Sequence, residues 1–391
     1  MQQPTPSVPS PTLIRRAALK VGAAAALSLV AGRWVGRALA QDEVPDGERP
    51  FDPGGRVRVD YDETASFNAL YGNPPLLGRA EAWRLRIVED PARYDTTVVR
   101  YVNYATVLPI YRAERFPDVR WSYRHNDVWF DVGEGFIHSS WIVPCRETYN
   151  EPEAVIGDGF WGEITVPTSW QHWEPKLRSR RYYDMAYGAV FRVIDRADEP
   201  DGRAWYRLYD DALPRNVWWV QATHVRRIDP GEFAPISPHV SPEDKRIEID
   251  LDSQIVTCFE GEMPVFSTRC ASGTAFYDTN GVRHDFFTPR GEYRIYRKRP
   301  SRRMTGGEDI NDEYDLPGVP WCSFFTRDGV AIHGTYWHND YGRPRSHGCV
   351  NVTIDAAKWI YRWVNPYAGY DVEEHLTTRE EREMATRIIV F

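Results

Sequence analysis

The chain has 391 residues, 42% apolar and 27% charged, the balance of an ordinary globular protein and long enough for two or three domains. Its net charge of −8 leaves no basic footprint for nucleic acid, so that class of partner is excluded. Five scattered cysteines (Cys145, Cys258, Cys270, Cys322 and Cys349) form no C-x-x-C pair, which argues against a zinc ribbon or a thioredoxin-type motif.

Residues 1–40 read as an address. Arg15-Arg16 is followed by an apolar, Ala-rich run from Val21 to Gly32 and by Ala38-Leu39-Ala40 before Gln41. This resembles a twin-arginine export signal, with Ile14 where a polar residue is usual. The run is about a dozen residues, short of the ~20 that span a bilayer. The expectation is export to the cell envelope or cell wall with cleavage after Ala40. A retained membrane anchor is the alternative. A twin-arginine substrate folds in a reducing compartment, so an odd cysteine count fits a free functional thiol.

Residues 41–94 are rich in Pro, Gly and charge, with one strand predicted over Ala82–Val88, and read as a leader that packs loosely or wraps a neighbour. Two aromatic β units follow, at 95–150 and 151–228. Phe136-Ile137-His138-Ser139-Ser140-Trp141-Ile142 in the first matches Trp219-Val220-Gln221-Ala222-Thr223-His224-Val225 in the second, as though both were copies of one element. Short strands with frequent turns predict small barrels, and these resemble bacterial SH3-like domains. Such units could contact glycan or peptide. A generic β-rich spacer is the other reading. Residues 229–245 carry four prolines and read as a stiff linker.

From Arg246 the pattern alternates. A hairpin with its turn near Gly261 would set Cys258 opposite about Val265 and Cys270 opposite about Ser253, so those two thiols are not expected to bond. Ile354–Val364 has helical spacing, Glu373–Thr386 is charged and predicted helical, and Arg387–Phe391 reads as a closing strand.

The chemistry concentrates in Ala331-Ile332-His333-Gly334-Thr335 and Ser346-His347-Gly348-Cys349-Val350-Asn351. An unperturbed thiol is only a few per cent thiolate at neutral pH, so a nucleophilic Cys349 needs a base. A neighbouring imidazolium could lower its pKa by about two units, a differential of ~2.7 kcal/mol. His333 ends a strand-like run, where a side chain is both held and exposed, and a carbonyl in the Gly334 turn could fix its tautomer. The amides of Gly348 and Cys349 could form an oxyanion hole. The competing readings are a buried, inert thiol and a metal site of His333, His338, His347 and Cys349, although the spacing lacks a zinc signature. The other four cysteines read as buried small hydrophobes, His338 as a lid or loop residue, and His284-Asp285 as a turn.

These two motifs, with Asp250–Gln254, Ala271-Ser272-Gly273 and Thr288–Tyr293 upstream, resemble the L,D-transpeptidases of the YkuD type over residues 246–391. The resemblance implies a mainly β protein whose C-terminal domain is a β-sandwich with one or two late helices. It implies that Cys349 is the nucleophile and His333 its general base, with Gly334 as backbone orienter. Ser346, His347 and Gly348 would shape the site and oxyanion hole. Asn351, Thr335 and Tyr336 would contact substrate, and because Asn351 stands where many members have Arg, Arg343 or Arg345 could serve the substrate carboxylate instead. The implied activity is cross-linking of peptidoglycan stem peptides with release of terminal D-Ala, without metal or cofactor, and with carbapenem-type β-lactams as covalent inhibitors. The alternatives are an L,D-carboxypeptidase and a non-catalytic wall-binding protein.

Overall fold

The computed structural model describes residues 76–117, 119, 122–214, 218–307 and 313–391. The expected export signal and most of the expected leader lie outside these residues. Strands dominate, and one α-helix is present among the described residues.

The first β unit begins at Leu76, earlier than the expected 95. Strand Leu76–Ala80 is the centre of a three-stranded antiparallel sheet, between Val107–Ile110 and Ile142–Cys145. Leu85–Val88 pairs with Val98–Val102 and Phe136–His138 in a five-stranded sheet. The reason is burial: Leu76, Ala80 and Ile87 share one core with Leu108, Phe130 and Ile137, and Val88 is buried as well. The stretch 76–88, expected in a loose leader, is therefore integral to the unit.

The second unit is a seven-stranded antiparallel sheet built from Phe160–Ile164 to Val225–Arg227 around Phe160, Val193, Tyr206 and Val220. The matched segments of the two units fold alike. In each, a strand (Phe136–His138 or Trp218–Gln221) runs into a single 3-10 turn (Ser139–Trp141 or Ala222–His224). A second strand then leaves the turn (Ile142–Cys145 or Val225–Arg227).

The segment 229–245, expected as a stiff linker, packs on the C-terminal core. Asp229 and Glu232 close a capping box on a 3-10 turn, Pro230–Phe233, and this turn drives the Phe233 ring into the C-terminal core. There it lies 5.1 Å from the Trp321 ring and 5.2 Å from the Tyr370 ring. Burying a side chain of this size contributes about 1.5–3 kcal/mol, enough to hold the segment down.

The C-terminal domain is a sandwich of two five-stranded sheets. One runs in the order Met263–Arg269, Ile255–Glu260, Lys245–Asp250, Arg387–Val390, Gly291–Arg294. The closing strand Arg387–Val390 lies parallel to Lys245–Asp250 and antiparallel to Gly291–Arg294. The other sheet runs Val350–Val352, Ala331–Gly334, Tyr314–Phe324, Arg297–Gly306, His375–Leu376. Between them lie Ile247, Val256, Ile332, Val350 and Ile388. The hairpin register is one residue from the expectation. Cys258 faces Phe266, because a bulge takes up Val265, and the Cys270 N–H donates to Gln254 O at 2.8 Å. All five cysteines are free thiols, and all but Cys349 are buried.

Helix Ile354–Trp363 starts at Thr353, whose hydroxyl caps the Ala356 N–H at 3.3 Å, and buries Ala356, Ala357, Ile360, Tyr361 and Trp363 against the sandwich. Two buried lysines meet its C-terminal carbonyls: Lys245 Nζ lies 3.1 Å from Trp363 O and Lys298 Nζ 3.3 Å from Val364 O. The second expected helix, over Glu373–Thr386, is absent. That segment forms the short strand His375–Leu376 and a 3-10 turn at Arg382–Met384. It has no apolar face to bury, and Glu381 spends its carboxylate on His375 at 3.2 Å and on the Thr378 N–H at 2.9 Å.

Candidate active site

Strands Ala331–Gly334 and Val350–Val352 pair in parallel, with Ile332 opposite Val350 and His333 opposite Asn351. Cys349 sits just before the second strand, so the register sets Cys349 and His333 on one face of the pair, a diagonal step apart. The chain between them, residues 335–348, makes the crossover.

His333 is buried, and its Nδ1 lies 3.1 Å from the Gly334 carbonyl oxygen. A carbonyl only accepts, so Nδ1 carries the hydrogen and Nε2 keeps the lone pair of a base. Gly334 is the last strand residue rather than part of a turn. Burial holds the imidazole down at about 4 and pushes the Cys349 thiol up to about 11. Both shifts favour the neutral partners. The resting pair is therefore thiol and imidazole, in contrast to the imidazolium-lowered thiol expected from the sequence. The Cys349 sulfur is 3.7 Å from Gly329 O, and its side chain packs beside Val319, Cys322, Phe324 and Ala331.

The turn before Cys349 winds around one hydroxyl. Ser346 Oγ donates to Cys349 O and accepts from the Gly348 N–H at 3.2 Å. Gly348 has φ +111°, open to glycine and costly for other residues. Its amide is already spent on Ser346, which departs from the expectation that it would serve an oxyanion hole. Below the turn, Thr288 Oγ1 donates to Gly348 O at 2.8 Å and accepts from Gly273 N at 2.9 Å. Gln254 brackets Ser272, accepting from its N–H and donating to its Oγ, both at 2.8 Å. Thr288, Gly273 and Gln254 were not among the sequence-derived site residues, although they fall within the upstream segments that carry the resemblance.

The His347 ring stacks on Phe276 at 3.9 Å, with Tyr314 at 4.7 Å and Phe286 at 4.9 Å. Of the expected substrate contacts, Tyr336, Arg343, Arg345 and the Asn351 amide nitrogen meet groups of the protein, whereas Thr335 Oγ1 and Asn351 Oδ1 are buried without a hydrogen-bond partner. Tyr336 is buried and its OH donates to Pro317 O at 2.6 Å. Thr335 is buried. Asn351 is buried and its side-chain amide lies 2.9 Å from His338 Nε2. Arg343 and Arg345 both pair with Asp340, at 2.6 and 2.9 Å. His338, expected at a lid or on the surface, is fully enclosed. His284 sits on a short exposed strand, 3.5 Å from Asp278 rather than paired with Asp285. Among the described residues, no group of three or more His, Cys, Asp or Glu is arranged to hold a metal ion.

The family model of the YkuD L,D-transpeptidase catalytic domain matches residues 244–390. No curated protein matches the chain. Among solved structures, an L,D-transpeptidase from Xylanimonas cellulosilytica is 27% identical, with 38% of this chain and 60% of that one covered and a TM-score of 0.27. A cysteine-to-serine mutant of the Enterococcus faecium L,D-transpeptidase is 22% identical, with 38% and 50% covered and a TM-score of 0.26. The catalytic domain of the E. faecium enzyme acylated by ertapenem is 22% identical, with 38% and 97% covered and a TM-score of 0.26. The chain thus spans half to three-fifths of the length of the first two. The assignment rests on the family match, which takes in every residue of the site described above. Residues 244–390 of this chain are an L,D-transpeptidase catalytic domain of the YkuD family.

Proposed function

We propose that the protein is an exported peptidoglycan L,D-transpeptidase that works through a Cys349 thioester. The observation that carries this reading is the His333 imidazole, held by Gly334 with Nε2 as its free base, on the strand beside Cys349. Because the resting pair is neutral, His333 acts as a general base during attack. Nε2 takes the thiol proton as Sγ adds to the carbonyl of the diamino acid's L-centre in the donor stem. The Cys349 amide, the donor left by the Gly348–Ser346 bond, faces the developing oxyanion. The carbon–nitrogen bond to terminal D-Ala breaks, His333 returns the proton to the leaving amine, and the thioester remains. An acceptor amine then adds, gives its proton to His333 and expels the thiol, which His333 reprotonates.

Ser346 and Gly348 shape the turn that presents Cys349, and the aromatic seat of His347 fixes its flank. The strand–turn–strand corner shared by the two preceding units supports reading them as SH3-like modules that contact the wall's glycan or peptide. The Arg15-Arg16 segment supports export by the twin-arginine route.

The test is incubation of the purified protein with stem tetrapeptides, followed by mass spectrometry. The expected result is D-Ala release, an acyl adduct on Cys349 and a cross-linked dimer whose yield rises with acceptor amine. Release of D-Ala without dimer, at a rate indifferent to amine, would make the enzyme an L,D-carboxypeptidase. No adduct and no release would leave a wall-binding protein.

A further inference from the structure

The crossover between His333 and Cys349 is not held by the catalytic domain alone. Its middle, Asn339–Arg345, is clasped between the strand end Cys270–Ser272 and the corner of the first β unit. On the catalytic side, Gly342 N donates to Cys270 O at 2.8 Å and Arg345 N to Ser272 O at 2.6 Å. On the other side, Asn339 N donates to Ser140 O at 3.0 Å, and the Arg345 guanidinium lies 4.1 Å from the centre of the Trp141 ring. Gly342 has φ +98°, and a methyl there would press on the Arg269 guanidinium, which itself donates to the His125 carbonyl.

At the centre is Asp340, whose side chain is 0% exposed. Its Oδ1 meets His125 Nε2, from the first unit, at 2.8 Å. Its Oδ2 takes Arg343 Nε at 2.7 Å and Arg345 Nη1 at 2.9 Å. Burial opposes the carboxylate's charge, but the His125 bond and the two guanidinium groups together hold its pKa well below the usual range.

From Asp340 the contacts continue to the reacting strands. The Asp340 N–H donates to His338 Nδ1 at 3.1 Å, so Nδ1 is the unprotonated nitrogen of a ring that burial keeps neutral. Nε2 then carries the hydrogen and lies 2.9 Å from the Asn351 side-chain nitrogen; with that amide turned end for end, its otherwise unpartnered carbonyl oxygen accepts the hydrogen. Asn351 is the register partner of His333 and stands two residues after Cys349.

We propose that Asp340 and His125 are positioning residues for the Cys349–His333 pair, so that the first β unit completes the active site of the catalytic domain. This rests on the thioester reading above. His125 is the partner of the buried Oδ1, while the loop's own arginines take Oδ2, and the loop that Asp340 organises ends on both strands that carry the proposed reacting groups. Small displacements of such groups cost large factors in rate.

The experiment uses the full chain and ertapenem acylation of Cys349, followed by intact mass and expressed per folded molecule, alongside the melting temperature. Asp340→Asn should slow acylation at least tenfold. His125→Ala, which alters a partly buried ring outside the catalytic domain, should slow it several-fold. His125→Gln, whose amide can still donate to Asp340, should restore most of the rate. A merely structural role would lower the melting temperature and leave the rate per folded molecule unchanged, and that result would overturn the proposal. So would His125→Ala and His125→Gln behaving alike, a comparison that remains decisive should Asp340→Asn fail to fold. Failure of the parent protein to be acylated would sink the thioester reading itself, a distinct outcome.

Discussion

The Thr288 hydroxyl joins two backbones, accepting from Gly273 N at 2.9 Å and donating to Gly348 O at 2.8 Å. Both partners are glycines in close approach: a methyl on Gly273 would lie 2.8 Å from the Gly348 Cα. Thr288→Val keeps the shape and removes both bonds, leaving a buried N–H and a carbonyl unmatched. The expected loss is about 1–3 kcal/mol in urea unfolding, with slower Cys349 acylation. Thr288→Ser should recover both. A valine variant that keeps the parent's stability and rate would show that the hydroxyl does not hold the turn.

The depressed imidazole and raised thiol set an unusual pH profile. His333 is a base only when unprotonated, and its folded value of about 4 keeps it so from pH ~5 upward. Acylation should therefore fall only as pH drops through about 4. His333→Ala should lose the neutral-pH rate and regain it as thiolate forms, rising about tenfold per unit towards pH 11. Cys349→Ala should abolish the adduct and D-Ala release at every pH. An acid limb near 6.5 would contradict the buried, neutral ring. Stability has its own sign here: an unfolded imidazole binds a proton that the folded one refuses, so this group adds stability as pH rises from about 4 to ~6.5.

Phe233 gives a stability test of the segment that precedes the sandwich. Its ring fills a site bounded by Trp321, Tyr361 and Tyr370. Phe233→Ala should cost about 3–5 kcal/mol, the range for deleting a buried aromatic ring. Calorimetry or urea melts would read it. A loss under ~1 kcal/mol would return residues 229–245 to the status of a tether.

Arg15 and Arg16 form the pair of the expected export signal, so their replacement tests the route directly. With both changed to Lys, full-length protein should accumulate in the cytoplasm, as read by fractionation and immunoblotting. Normal export of the double variant would rule out the twin-arginine pathway.

The proposed reacting residues stand out in the sequence because each lies in a short local motif. His333 ends an apolar run, and Ser346 to Asn351 is one continuous motif that folds as one turn and strand. The shared corner of the two β units was legible for the same reason: seven residues encode it each time. The Cys258 register slipped because the bulge at Val265 leaves no mark in the alternation. The helix expected over Glu373–Thr386 failed because charge alone supplies no face to bury. Asp340, His125 and His338 were missed as a group, since 215 residues separate His125 from Asp340 and only the folded chain brings them to 2.8 Å. Arg343 and Arg345 looked like free cations because their buried counter-charge could not be told from an ordinary loop aspartate.

Strand Arg387–Val390 is the wedge between Lys245–Asp250 and Gly291–Arg294, and neither neighbour reaches the other without it. During vectorial synthesis at ~5–20 residues per second, about 7–28 s pass between the appearance of the first of these strands and the last. Throughout that interval the sheet is open, its apolar face is uncovered and Cys349 has no finished site around it. The sheet therefore closes only after strand Arg387–Val390 has emerged, and the domain cannot finish assembling around Cys349 before this late segment is available.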